Sequence, residues 1–315
     1  MRNILITGGN GFIGTSLSEK LINRNIRIVS FDINPPKNQE LKNLNNFTYI
    51  KGDINNKSDL KKLFSEHEFT GIIHLASVSR VIDGEKDPDL CRKTIVHGTK
   101  NLTDEIASSS NQPFIIYGSS REVYGESQSL PVLESSGYNP VNVYGESKAE
   151  AEKIIRTASE KLKLKSVILR FSNVYGNRYD INDRVIPRFI LGALNNNILE
   201  IHGGRQIFDF TNIDDTVAGI ECTIHHLLKE DIPKGYCEDF HITTGNSCSL
   251  YDVVNIIRKI TGKNTQYKLT PERSYDVNRF VGNPQKAIDI LGYNPETDLE
   301  TGIKKTIDSY RGELN

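Results

Sequence analysis

The 315-residue chain has little of several features that would send it towards other classes of protein. Its charges nearly cancel, 39 Lys and Arg against 40 Asp and Glu for a net of −1, so no basic surplus points to nucleic acid or to an anionic membrane surface. No apolar run approaches the roughly 20 residues of a membrane-spanning helix. The four cysteines, Cys91, Cys222, Cys237 and Cys248, are scattered with neither C-x-x-C nor zinc spacing, and they read as thiols buried in a reducing compartment. His225 and His226 are adjacent, so a helix would splay their rings apart, and no metal site is expected. There is no internal repeat and no low-complexity tract. The first strand pattern begins within a few residues of Met1, which leaves no room for a signal peptide, and the expected compartment is the cytoplasm. What remains is a length suited to one large or two small domains with a sizeable core.

The positive signal starts at Thr7-Gly8-Gly9-Asn10-Gly11-Phe12-Ile13-Gly14. An apolar run, Ile4-Leu5-Ile6, precedes it, and Ile13, Leu17 and Leu21 follow at helical spacing, giving strand, glycine turn, helix. Gly9, Gly11 and Gly14 match G-x-G-x-x-G, while Gly8, Gly11 and Gly14 fit the looser G-x-x-G-x-x-G. The early glycines make a tight turn and let backbone N–H groups approach a pyrophosphate; the last lets helix and strand pack closely. The helix N-terminus then faces the phosphates. Residues 26–31 form a second strand, and Asp32 closes it at the place where a carboxylate accepts hydrogen bonds from the adenosine ribose. A carboxylate there repels a 2′-phosphate, so NAD is expected rather than NADP.

Strand and helix patterns alternate from there. Strands are expected at 47–51, 71–77, 114–118 (ending at Ser119-Ser120) and 167–171, with helices through Leu60 and Leu63, from Leu90 to Ile106, and from about Asn142 to Leu162. This alternation predicts an α/β fold, a doubly wound parallel Rossmann sheet with right-handed crossovers. Ligands in such sheets sit at the C-terminal strand ends, where Ile33, Asp53, Ile54, Leu75, Ala76, Ser77 and Phe171 lie. Together with Phe12 and Ile13 they complete the expected dinucleotide set. After residue 175 loops lengthen and strands shorten (198–202, 208–212). The expected division is a dinucleotide-binding domain over 1–175, with segments returning at about 214–243, and a second, smaller α/β substrate domain over 176–315.

Tyr144-Gly145-Glu146-Ser147-Lys148 puts a phenol and an ammonium one helical turn apart on one face. The helix follows the strand that ends at Ser120, so the three side chains can converge beside a nicotinamide. Taking a proton from a sugar hydroxyl at neutral pH asks for a base with a pKa near 7, and a free phenol sits about 3 units higher, or roughly 4 kcal/mol. Lys148 and a positively charged nicotinamide ring are the expected sources of that stabilisation.

These residues resemble a known family. TGGNGFIG, Asp32, GDI at 52–54, HLAS at 74–77, SSREVYG at 119–125 and YGESK at 144–148 look like the extended short-chain dehydrogenase/reductases, in particular their nucleotide-sugar epimerase/dehydratase branch. The likeness continues through LRFSNVYGN (169–177), VIP (185–187), FDFTNIDD (208–215) and RSYDVNRFVGNPQKA (273–287). The resemblance implies NAD held tightly by the large domain, a nucleoside-diphosphate sugar held by the small one, and a homodimer paired through the helices around 90–108 and 143–162. It implies Ser120, Tyr144 and Lys148 as the catalytic set, Asn173 and Arg273 on the pyrophosphate, and Val185, Arg188 and the strand to His202 around the base. Arg80 and Glu122 complete the expected substrate contacts.

The reaction it implies first is 4-epimerisation of UDP-glucose and UDP-galactose, by oxidation of the C4 hydroxyl and return of hydride to the other face. Decarboxylation, dehydration and reduction within the same family are the alternatives, and a non-catalytic NAD-sensing module is a remote one. Dehydratases carry an Asp-Glu pair after the serine or threonine and uronate decarboxylases a Ser-Glu; here the pair is Arg121-Glu122, which also reads as a solvated pair on an exposed loop. Reductases of the family prefer NADPH, against which Asp32 speaks. Ile95 stands where the family has Asn before the V-x-G-T motif, and Phe208 where epimerases commonly have a pyrophosphate-binding Arg. Phe280 falls at the family's size gatekeeper, where a bulky ring disfavours N-acetylated sugars.

Overall fold

A computed structural model describes residues 2–24 and 26–311. Its centre is a sheet of apolar strands covered on both faces. In chain order the elements of the first half are β1 (Arg2–Thr7), α1 (Phe12–Leu21), β2 (Ile26–Asp32), β3 (Phe47–Lys51), α2 (Lys57–Glu66), β4 (Gly71–His74), α3 (Val81–Lys86), α4 (Pro88–Arg92), α5 (Gly98–Ser108), β5 (Phe114–Ser120), α6 (Val143–Leu162) and β6 (Ser166–Phe171). The second half holds β7 (Asn173–Tyr175), α7 (Val185–Leu194), β8 (Leu199–His202), β9 (Ile207–Phe208), β10 (Phe210–Asn212), α8 (Ile213–Leu227), β11 (Cys237–Ile242), β12 (Cys248–Ser249), α9 (Leu250–Thr261), β13 (Tyr267–Thr270), β14 (Arg279–Phe280), α10 (Gln285–Leu291) and α11 (Leu299–Arg311).

The large sheet runs β11-β6-β5-β4-β1-β2-β3 and every pairing in it is parallel. It is the doubly wound α/β fold that the alternating pattern predicts. Successive side chains of β1 serve opposite faces, as the two-residue period requires. Ile4 and Ile6 pack with Leu17 of α1 and Ile220 of α8 on one side. Leu5 packs with Leu63 of α2, Ile106 of α5 and Ile155 of α6 on the other. The chain leaves β1 in one direction and comes back to build outward from β4 in the other, so a crevice opens where these two strands end.

The remaining strands are short and peripheral. β7 pairs with β10, β8 with β13, and β9 lies between β12 and β14. A separate core beneath them brings together Phe189 and Ile190 of α7, Val253 and Ile257 of α9, and Ile303 and Ile307 of α11.

Three elements differ from the sequence pattern. The strand expected over 71–77 ends at His74, and Leu75, Ala76 and Ser77 leave the sheet to line the crevice. The helix expected from Leu90 to Ile106 is interrupted by a π-helical turn at Lys93–His97, where the Thr99 hydroxyl donates to the Ile95 carbonyl inside the helical ladder. The strand expected over 208–212 is split at Asp209, whose buried carboxylate turns inward and accepts from Thr244 N–H (3.0 Å) and Gly245 N–H (2.7 Å). Among the described residues no helix is long and apolar enough to cross a membrane.

Candidate active site

Two cavities open along the C-terminal ends of the large sheet. The first, about 520 Å³, takes in every residue that the sequence assigned to the dinucleotide, from Gly8 and Gly11 through Asp32, Ile33, Asp53 and Ile54 to Leu75, Ser77, Lys148 and Phe171. The glycines have separate tasks. Gly8 has φ +67°, and a Cβ there would lie 2.7 Å from the backbone nitrogen of Ala76. At Gly14 a Cβ would meet Gly8 O at 2.6 Å, so the helix start could not sit this close to the loop. Gly11 is the N-cap of α1 and supplies no side-chain cap, and no acidic residue occupies the first turn; that end is left to an anion.

Asp32 holds the far side. Its Oδ2 accepts from Asn10 N–H at 3.0 Å and its Oδ1 from Asn34 N–H at 2.9 Å, while burial pushes the carboxyl above its ordinary value. Asn10 was not singled out by sequence, yet its side chain also joins Ser30 (2.7 Å) to Asn34 (2.6 Å) and fixes the loop. The donor-rich helix end, the close backbone approach and a carboxylate facing the second strand together fit an extended diphosphate with a ribose at one end.

A second cavity of about 370 Å³ lies between the sheet and the peripheral elements. Tyr144 lines both. Ser120 and Tyr144 both line this cavity, and burial is the largest influence on the phenol, pushing it up to about 12 against the pull of Arg184 and Ser120. This differs from the lowered phenol that catalysis asks for, and the reason is that a cleft floor strips water from the phenolate. Lys148 is 3% exposed and donates to the Gly118 carbonyl at 2.7 Å. Its ammonium lies 5.0 Å from the Tyr117 ring centroid and 5.8 Å from that of Tyr144, and burial lowers it to about 8. Asn142 caps α6 by accepting from Gly145 N–H at 2.8 Å, which sets the helical turn that carries Tyr144 and Lys148.

The second cavity gathers Arg80, Ser120, Glu122, Asn173, Val185, Arg188, His202 and Arg273, all expected at the substrate. Arg80 is committed elsewhere: it grips Asp83 through Nε and Nη2 (2.7 Å each) and Asp183 through Nη1 (3.0 Å). Asn173 keeps Nδ2 buried without a partner among the described residues. Arg188 and Arg273 face each other closely enough that burial and Arg273 together lower Arg188, and burial with both guanidiniums lowers His202. Like charges crowded at a cavity wall repel unless an anion joins them, and Arg188 Nε is buried without a partner among the described residues.

The Arg121-Glu122 pair is not solvated. Arg121 is 7% and Glu122 5% exposed, and Arg121 Nη2 meets Glu122 Oε1 at 2.9 Å on the wall of the second cavity. Phe280 is fully buried beneath the Arg121 guanidinium, so its bulk reaches the site through that side chain.

Two further features escaped the sequence. A buried network supports the end of β5: Ser119 donates to Glu152 at 2.5 Å, Glu152 pairs with Arg170 at 2.8 Å, and Arg170 pairs with Asp239 of β11 at 2.7 Å. The loop before α7 crosses the first cavity. Asn177 donates to Ser16 (3.0 Å), Tyr179 to Glu19 (2.8 Å) and Arg184 to the Ser79 carbonyl (2.8 Å), while Lys37 donates to the Tyr179 carbonyl. Nothing local marks these polar residues as partners; only the FSNVYG and VIP landmarks bracket the loop.

Comparison with known proteins bears on this geometry. The family model described as GDP-mannose 4,6 dehydratase matches residues 5–306. A putative UDP-glucose 4-epimerase of Methanocaldococcus jannaschii is 30% identical over 311 residues, 96% of this chain and 97% of that protein. The dTDP-4-dehydro-6-deoxyglucose reductase of Escherichia coli is 29% identical over 98% of this chain and 97% of its own. Among solved structures, the UDP-glucuronic acid 4-epimerase of Bacillus cereus in complex with UDP-glucuronic acid and NAD superposes with a TM-score of 0.90 at 27% identity, covering 99% of this chain and 100% of that one.

Proposed function

We propose that this chain, which belongs to the nucleotide-sugar epimerase/dehydratase branch of the extended short-chain dehydrogenase/reductase family, is an NAD-dependent nucleotide-sugar 4-epimerase acting on UDP-glucose and UDP-galactose. The observation that carries the reading is the meeting of two cavities at one phenol, with Ser120 on the wall of the second. A sugar hydroxyl placed between Ser120 and Tyr144 from the second cavity has its carbon beside whatever fills the first.

The glycine loop, Asp32 and the end of α1 would hold NAD, whose nicotinamide would supply a reversible acceptor for the hydride on sugar C4. Ser120 would orient the C4 hydroxyl, and Tyr144 would take its proton on oxidation at C4 and give one back on reduction of the 4-ketosugar from the other face. Lys148, anchored on Gly118, keeps a positive charge below the phenol at neutral pH. Arg188 and Arg273 hold the diphosphate; Arg188 thereby takes the part that Phe208 cannot play, and Asn173 adds a donor. Epimerisation is favoured over 4,6-elimination because Arg121 stands where an acid would be needed, and a guanidinium does not give up its proton.

The test is to incubate purified protein with UDP-galactose and no added cofactor and to follow UDP-glucose by anion-exchange chromatography. Interconversion supports the proposal. Carbon dioxide from UDP-glucuronate, or NADPH consumption with a 4-keto-6-deoxy sugar nucleotide, in place of interconversion overturns it. The proposal includes a homodimer built on the helices around 90–108 and 143–162, which light scattering tests directly.

A further inference from the structure

Arg121 follows Ser120 at the end of β5 and lines the cavity assigned to the sugar. Its side chain is 9% exposed and immobilised on several sides. Nη2 donates to Glu122 Oε1 at 2.9 Å, and the guanidinium carbon lies 4.9 Å from the Phe208 ring centroid and 5.7 Å from that of Phe280. Glu122 cannot swing away, because its Oε2 accepts from Asn142 Nδ2 at 2.9 Å and its own N–H donates to Ser120 Oγ at 3.2 Å. Yet Arg121 Nη1 is buried with no hydrogen-bond partner among the described residues. A buried donor is costly to leave unmade, so a group that completes it gains affinity and one that cannot loses it.

The charge around this donor is already balanced. Glu122 neutralises the guanidinium, and the neighbouring Asp276 is matched by Arg273, whose Nε lies 3.9 Å from its Oδ2. The wall therefore offers a fixed N–H without a net positive field. It suits a neutral oxygen. Glu122 ties the two residues together, its N–H on Ser120 Oγ at 3.2 Å and its Oε1 on Arg121 Nη2 at 2.9 Å, so with Ser120 on the C4 hydroxyl the donor of Arg121 falls on a substituent flanking C4. The C3 hydroxyl is common to ordinary hexoses and selects nothing; the exocyclic C6 group is where hexose, uronate and 6-deoxy sugars differ.

Resting on the nucleotide-sugar reading above, we propose that Arg121 is the specificity-determining residue of the sugar site: its Nη1 donates to the C6 hydroxyl of a neutral hexose. It disfavours a 6-deoxy sugar, whose methyl leaves the donor unpaired, and a uronate, whose carboxylate faces Glu122.

The experiment is isothermal titration of the purified protein, carrying the cofactor with which it is isolated, with UDP, UDP-glucose, UDP-glucuronate and UDP-6-deoxyglucose. The variants are Arg121→Met and the double variant Arg121→Met with Glu122→Gln, which removes both buried charges together and guards against misfolding of the single one. Wild-type protein is expected to bind UDP-glucose about tenfold or more tighter than either other sugar nucleotide. The double variant is expected to lose the discrimination against the 6-deoxy sugar, to within about threefold, while binding UDP as the wild type does. Wild-type protein that binds UDP-6-deoxyglucose or UDP-glucuronate as tightly as UDP-glucose overturns the assignment of Arg121 and leaves the nucleotide-sugar reading intact, as does a double variant that keeps the wild-type ratio. Failure of UDP and all three sugar nucleotides to bind overturns both.

Discussion

Replacing Lys148 with methionine is expected to stabilise the protein while abolishing turnover. The side chain is 3% exposed, and burial lowers its ammonium from the ordinary 10.5 to about 8. Because the folded pKa lies below the unfolded one, the unfolded chain holds more protons between pH 8 and 10.5, and stability rises with pH across that window. At pH 7 both states are protonated and the folded one carries the whole penalty, about 3 kcal/mol at roughly 1.4 kcal/mol per unit. Methionine removes the charge at similar length, and it also removes the bond to the Gly118 carbonyl, a loss of about 1 kcal/mol. The net expectation is a gain of about 2 kcal/mol at pH 7 that shrinks towards pH 10.5. Urea unfolding followed by circular dichroism at pH 7, 8.5 and 10 measures it, and epimerisation of UDP-galactose should fall at least ~10²-fold in parallel. A variant no more stable than wild type at pH 7, or a stability difference that does not change between pH 8 and 10, refutes the reasoning.

Tyr144→Phe keeps the ring and loses the proton acceptor; it should retain its dinucleotide, read by absorbance after denaturation, and lose ~10²–10⁴-fold in kcat, and wild-type activity in this variant would remove Tyr144 from the chemistry. Gly8→Ala puts a Cβ 2.7 Å from the Ala76 nitrogen at φ +67°, so the expected cost is at least ~1–2 kcal/mol, seen as a lower melting temperature and a lower cofactor content; unchanged values for both contradict the close approach. Arg188→Ala and Arg273→Ala should each raise KM about tenfold or more with kcat little changed, and a kcat effect without a KM effect speaks against a diphosphate between them. Burial holds the Tyr144 phenol up at about 12, so its ionised form grows with pH, and kcat/KM at fixed substrate should climb roughly tenfold per unit from pH 6 to 8; a plateau beginning near pH 7 contradicts a high phenol.

The parts of the fold legible in the sequence are those whose signal is local. Ile4-Leu5-Ile6 followed by Gly8, Gly11 and Gly14 specifies a strand, a turn and a helix start within a dozen residues, and the repeated strand-helix rhythm leaves few topologies. The seventh strand is less visible, because β11 reaches the sheet only after the peripheral elements have intervened. Arg121 and Glu122 show why a site resists such reading. Two charged side chains in a loop look solvated, and what buries them is Phe208, Phe280 and Asn142, which the fold brings from three other elements. The same holds for Glu152: in the sequence it is one more carboxylate on a polar helix, and in the fold it is fully buried between Ser119 and Arg170. The split at Asp209 had no local marker either, since its partners Thr244 and Gly245 lie beyond β11.

The energetics of Tyr144 say where the missing stabilisation of the base has to come from. Moving a phenol from about 12 to 7 takes five pKa units, or about 7 kcal/mol. Arg184 and Ser120 already pull on the phenol when that value is reached, and they leave the gap open. A full positive charge brought to about 5 Å in a medium of effective dielectric near 20 would contribute about 3 kcal/mol, close to half of what is needed. The oxidised nicotinamide of the proposed cofactor carries such a charge and its reduced form does not. On these magnitudes Tyr144 would still be mostly a neutral phenol at pH 7 beside an oxidised ring, and losing that charge on reduction would raise its pKa again. A phenol that ionises more readily beside the oxidised ring would hold its proton more tightly beside the reduced one. The same phenol, reprotonated beside the neutral ring, is the acid that the returning alkoxide requires. The burial that makes Tyr144 a poor base on its own is therefore what couples its proton to the hydride.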